Sequence, residues 1–122
     1  MIRLSLGLLF VLPSAAASAA TCKIDPFRMI FGRDAQVHMT AASGRACGSM
    51  INWHDGGASS MAVETPPANG SVTTPTSNRW LYRSRPGFAG HDRFVLATSG
   101  VGMRKMVVQG TTNITVDVDV VP

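Results

Sequence analysis

After the first twelve residues this chain contains no long apolar run, so nothing later offers the ~20 consecutive apolar residues that a spanning helix needs. No long segment carries apolar residues at three-to-four spacing, which removes amphipathic helices from the reading. Catalytic signatures are missing too: there is no Gly-x-Ser-x-Gly elbow, no His-Glu-x-x-His and no phosphate-cradling loop. The two cysteines, Cys22 and Cys47, are not spaced as Cys-x-x-Cys, so a redox pair is not indicated. Charge is sparse, with 11 Lys and Arg against 7 Asp and Glu. Only Arg79, Arg83, Arg85 and Arg93 lie close together, a distribution too diffuse for nucleic acid.

What the chain does contain begins with an export signal over residues 1–20. Arg3 supplies a short basic region, Leu4 to Leu12 an apolar run, and Pro13 ends that run before Ser14-Ala15-Ala16-Ala17-Ser18-Ala19-Ala20. Cleavage after Ala20 fits the small-x-small rule, and cleavage after Ala19 fits almost as well. The run is too short for a membrane anchor. Thr21 stands before Cys22 where a lipid-attachment box wants Gly, Ala or Ser. A periplasmic or secreted protein is expected, with one domain over residues 21–122. In such a compartment two cysteines read as one disulfide, Cys22 to Cys47, contributing about 3 kcal/mol. It would tether the start of the mature chain to an inner strand.

Period-two alternation recurs along the rest. Phe27, Met29 and Phe31 outline a first strand, Val37 and Met39 a second, and Cys47, Ser49, Ile51 and Trp53 one face of a third. Met61 and Val63 make a short fourth strand, ended at Pro66-Pro67-Ala68-Asn69-Gly70. Asn69-Gly70 is a hairpin signal because both residues tolerate positive φ. Ser71 to Thr74, Arg79 to Arg83 and Arg93 to Thr98 follow as strands, with Trp80 and Tyr82 on one face and Leu81 on the other. Ser99-Gly100-Val101-Gly102 reads as a turn. In the last strand Ile114, Val116, Val118 and Val120 face inward, and Thr115, Asp117 and Asp119 face water. About seven short strands with turns near every tenth residue predict an all-β sandwich. Trp53, Tyr82, Phe88, Phe94 and Val118 are expected in or beside its core.

The stretch Tyr82-Arg83-Ser84-Arg85-Pro86-Gly87-Phe88-Ala89-Gly90-His91-Asp92-Arg93-Phe94 resembles the loop signature of bacterial cadherin-like and immunoglobulin-like extracellular modules. The resemblance covers roughly Pro66 to Val120. It also draws on Pro-x-Asn-Gly-x-Val at Pro67 to Val72 and on the closing Val-x-Val-x-Val strand. Ser84 departs from the pattern, which usually has proline there. The resemblance implies an immunoglobulin-like sandwich and a role in cell adhesion. Many such modules bind calcium at inter-repeat junctions, but a single copy has no neighbour to complete such a site. Tyr82, Pro86, Gly87, Phe88, Gly90, Asp92 and Phe94 are read as structural: Gly87 and Gly90 take conformations costly for other residues, Phe88 plugs one end of the sandwich, and Asp92 ties the loop to backbone amides.

Three ligand readings remain. Arg79, Arg83 and Arg85 surround Trp80 and Tyr82, and an arginine-bearing strand face can read carboxylates through bidentate contacts. The plainer account of those arginines is an edge strand charged against aggregation. Copper is suggested by His38 beside Met39 and by Met29, Met50, Met61, Met103 and Met106, although methionines also fill irregular cores. Asp34, Asp92, Asp117 and Asp119 are the oxygens available to calcium. His38 and His54 read as ordinary surface histidines. A triad drawn from His54-Asp55 or His91-Asp92 fails, because neighbours in a strand point to opposite faces. The sequence therefore predicts a non-enzymatic envelope module without cofactor, contacting protein or polysaccharide, with periplasmic metal handling as the alternative.

Overall fold

The computed structural model describes residues 21–30, 32–52, 57–101 and 109–122, together with Gly7. None of these residues is helical. Eight strands run in chain order: β1 (Cys22–Ile24), β2 (Ala35–Ala42), β3 (Cys47–Met50), β4 (Gly57–Thr65), β5 (Gly70–Thr76), β6 (Arg79–Ser84), β7 (Gly90–Val101) and β8 (Gln109–Val121). They build two sheets, one ordered β1-β2-β8-β7-β4 and the other β3-β6-β5. The expected all-β sandwich is therefore the fold. The export signal, Phe31, Trp53, His54, Asp55, Met103 and Met106 lie outside the described residues.

The last strand orders the larger sheet. β8 lies between β2, which it meets in parallel, and β7, which it meets antiparallel. Its inward residues Ile114, Val116 and Val118 are fully buried and Val120 nearly so. Opposite them Trp80 and Tyr82 of β6 are also fully buried, so one apolar core is shared by both sheets. Tyr82 stacks on Phe94 across that core at 5.7 Å between ring centroids. Val37 and Met39 complete the β2 contribution. Strict alternation in β2, β6 and β8 places every second side chain on this face.

Several elements differ from the sequence reading. The segment after Asp25-Pro26 is not a strand; Met29 makes one isolated bridge, Phe27 lies 6.0 Å from Trp80, and Met29 is buried. Its apolar residues are spaced to cover the core from outside the ladders, and period two alone does not distinguish that use from a strand. The first strand is instead Cys22–Ile24, antiparallel to β2. β7 continues through Ser99 to Val101, where a turn is predicted, because Gly100 pairs with Gly110 and packs against Gly57 and Ala58 of β4. The Cys22–Cys47 disulfide is present, with Cα atoms 5.4 Å apart. It joins β1 to β3, which is an edge of the smaller sheet and not an inner strand, so the bond staples one side of the sandwich shut.

Candidate functional site

The Tyr82-to-Phe94 stretch builds a latch between the sheets. Asp92 is 6% exposed and its carboxylate accepts four hydrogen bonds. The Tyr82 hydroxyl donates at 2.8 Å, and the amides of Ala68, Asn69 and Arg93 donate at 3.1, 3.2 and 3.0 Å. Burial, and then the bond to Asp92, push the Tyr82 phenol well above its ordinary pKa, so it stays a donor. The turn Asp92 secures is thus the β4–β5 turn, not the Pro86-to-Gly90 loop as the sequence suggests. That turn is held from its other side too, because Arg85 N donates to Asn69 O at 2.8 Å. Ser84, where the resembling modules have proline, is buried and accepts from Gly44 N at 2.9 Å. Its hydroxyl ties the β2–β3 turn to the end of β6.

Within the loop, Gly87 and Gly90 have φ of 82° and 139°, values that favour glycine, as expected. Gly70 does not need positive φ. A Cβ there would strike the Arg83 carbonyl and Ser84 Cα, so its role is close approach of β5 to β6. Phe88 is half-buried against the core, and the Arg85 guanidinium sits 5.4 Å from its ring centroid. The aromatic plug therefore carries a cation on its outer side.

The outer face of the larger sheet carries a ladder of paired charges. His38 of β2 contacts Asp25 Oδ2 through Nδ1 at 3.0 Å and Asp119 Oδ2 through Nε2 at 2.7 Å. Asp119 also holds His91 Nδ1 at 2.8 Å, and one row along Arg93 Nε donates to Asp117 at 2.7 Å. The hydrogen bond from Asp119, and then that from Asp25, raise the pKa of His38. Both its ring nitrogens face carboxylates. Met39 points the opposite way, into the core. Among the described residues no three His, Cys, Asp or Glu side chains converge as metal ligands. His91 is exposed and Asp92 buried, as neighbours on a strand must be. The ladder is absent from the sequence reading. Its only sequence signal is an Asp-x-Asp on one strand and a histidine at an outward position on another.

The smaller sheet is different. Its strands contain no Asp or Glu. Arg79 and Arg83 are exposed on the outer face of β6 with Leu81 half-buried between them, while Trp80 and Tyr82 point inward. β6 is the central strand of this sheet, so an anti-aggregation edge cannot explain its arginines. Ser71 pairs with Arg83 and Thr73 with Leu81 on one flank, and Met50 pairs with Arg79 on the other. Met50 is 60% exposed. A shallow groove of about 350 Å³ runs from Asn69 and Ser71 past Arg83 and Arg85 to Pro86. Among the described residues no carboxylate lies within ion-pair distance of Arg79, Arg83 or Arg85, whereas Arg93 on the other sheet is paired.

No family model and no curated protein matches this chain.

Proposed function

We propose that this chain is an exported, non-enzymatic binding or structural module of the cell envelope, periplasmic or secreted, that acts through protein or glycan contacts. The observation that carries the reading is the segregation of charge between the two outer faces. The outer face of the larger sheet pairs Asp25, Asp117 and Asp119 with His38, His91 and Arg93, whereas Arg79 and Arg83, on the middle strand of the other sheet, have no carboxylate partner among the described residues. Keeping cations uncompensated costs some self-repulsion and is useful where an anionic partner supplies the counter-charge. The Cys22–Cys47 bond fits an oxidising, non-cytoplasmic compartment, which supports export.

The strand order is compatible with an immunoglobulin-like sandwich, and an adhesive role rests on the sequence resemblance alone. Orders β3-β6-β5 and β8-β7-β4 correspond to the B-E-D and G-F-C arrangements of such sandwiches. The metal-handling alternative would require His38 to exchange its contacts with Asp25 and Asp119 for a metal ion.

Two measurements test the reading. A reporter fused after residues 1–20 should be exported and cleaved at Ala20. Immobilised mature protein should retain an envelope component that salt elutes. A reporter that stays in the cytoplasm, or sub-micromolar copper binding lost in His38→Ala, would displace it.

A further inference from the structure

We infer that the outer face of the β3-β6-β5 sheet binds an extended acidic polysaccharide whose repeating carboxylates pair with Arg79 and Arg83, with Arg85 at the end of the track. This inference rests on the envelope-module reading and names the chemistry of its partner. Arg79 and Arg83 lie on one face of one strand, four residues apart, which sets their Cα atoms about 13 Å from each other at the usual strand rise. Two cations so separated on an open sheet do not converge on one small anion. They suit a polymer that repeats its charge along the strand.

The groove beside Arg83 continues this line toward Arg85, whose guanidinium is already fixed over Phe88. Ser71 and Thr73 project beside the arginines and supply hydroxyls that exchange hydrogen bonds with sugar hydroxyls. Leu81 and Met50 add only a narrow apolar floor. The aromatic rings of β6, Trp80 and Tyr82, are turned into the core, so this face offers no platform on which a neutral sugar could stack. Recognition must therefore come from charge, and the planar guanidinium meets a carboxylate through two parallel hydrogen bonds. The rival groove on the larger sheet, along Asn69, His91, Arg93 and Asp117, has its arginine committed to Asp117 and attracts polyanions less.

The test uses the exported chain with its disulfide intact, titrated with polygalacturonate, with the same polymer fully methyl-esterified, and with phosphatidylglycerol vesicles. The expected result is binding of polygalacturonate that weakens with salt, no binding of the ester, and affinity reduced about tenfold or more in Arg79→Gln/Arg83→Gln. Lys23→Gln, an exposed cation of the other sheet, should leave the affinity unchanged. Circular dichroism and urea midpoints confirm that each variant is folded. Equal binding of the ester, equal binding by the double variant, or arginine-dependent binding of vesicles alone would overturn the inference. If envelope material is still captured but polygalacturonate is not, this inference falls and the envelope reading stands. If neither is captured, both fall.

Discussion

The Tyr82 hydroxyl donates to Asp92 Oδ2 at 2.8 Å and in doing so joins β6 of the smaller sheet to β7 of the larger. Because the same carboxylate holds the Ala68 and Asn69 amides, one buried acid couples both sheets to the β4–β5 turn. Tyr82→Phe removes one donor and should cost about 1–2 kcal/mol. Asp92→Ala strands the phenol and two turn amides and should cost about 2–4 kcal/mol. Urea denaturation of the double-mutant cycle should show non-additive losses, since both changes break one network. Additive losses would mean that the bond is incidental.

His38 makes stability depend on pH in a definite direction. Its folded-state pKa is raised above the unfolded value of 6.5 by Asp119 and Asp25. The stabilisation is thus fully present below about pH 6.5 and is lost as pH rises through the higher folded pKa. Urea midpoints should fall over that window in the wild type and stay flat in His38→Gln. A midpoint that rises through the same window would contradict the geometry of the ladder.

Gly70 and Gly87 should respond differently to alanine. At Gly87 the new Cβ meets open space, so only the positive φ is penalised, by about 1 kcal/mol. At Gly70 the Cβ meets the backbone of β6, and β5 must shift, at a cost of about 2–3 kcal/mol. Thermal denaturation of the two variants ranks them, and equal losses would remove the close-approach argument.

Breaking the cystine should destabilise the fold by about 3 kcal/mol, as expected for a loop closed over a separation of 25 residues. The damage should be greatest in β1, which among the described strands pairs with β2 alone. Hydrogen exchange in Cys22→Ser/Cys47→Ser should show the Lys23 and Ile24 amides losing protection before those of β8. Uniform loss of protection would instead make the bond a global brace.

Much of the fold was legible in the residues alone. Alternation assigns Ile114, Val116, Val118 and Val120, and likewise Trp80 and Tyr82, to the core, because strand side chains alternate faces whatever the neighbouring strand is. Two cysteines allow one pairing within the chain, and that pairing is the one formed. Apolar spacing read alone misassigned Phe27 and Met29, since residues that cover the core outside a ladder can share the spacing of a strand.

Sequence by itself determined the all-β class, the inward faces of β2, β6 and β8, the disulfide and the glycine positions of the loop, each a local property of chain geometry and side-chain polarity. Only the tertiary structure decided that β6 is central, so that its arginines form a presented face. It also placed Asp92 against a turn 23 and 24 residues away and set His38 between acids 13 and 81 residues distant. Polarity tells a side chain which face to take, but which strands become neighbours depends on how the whole chain closes around one core.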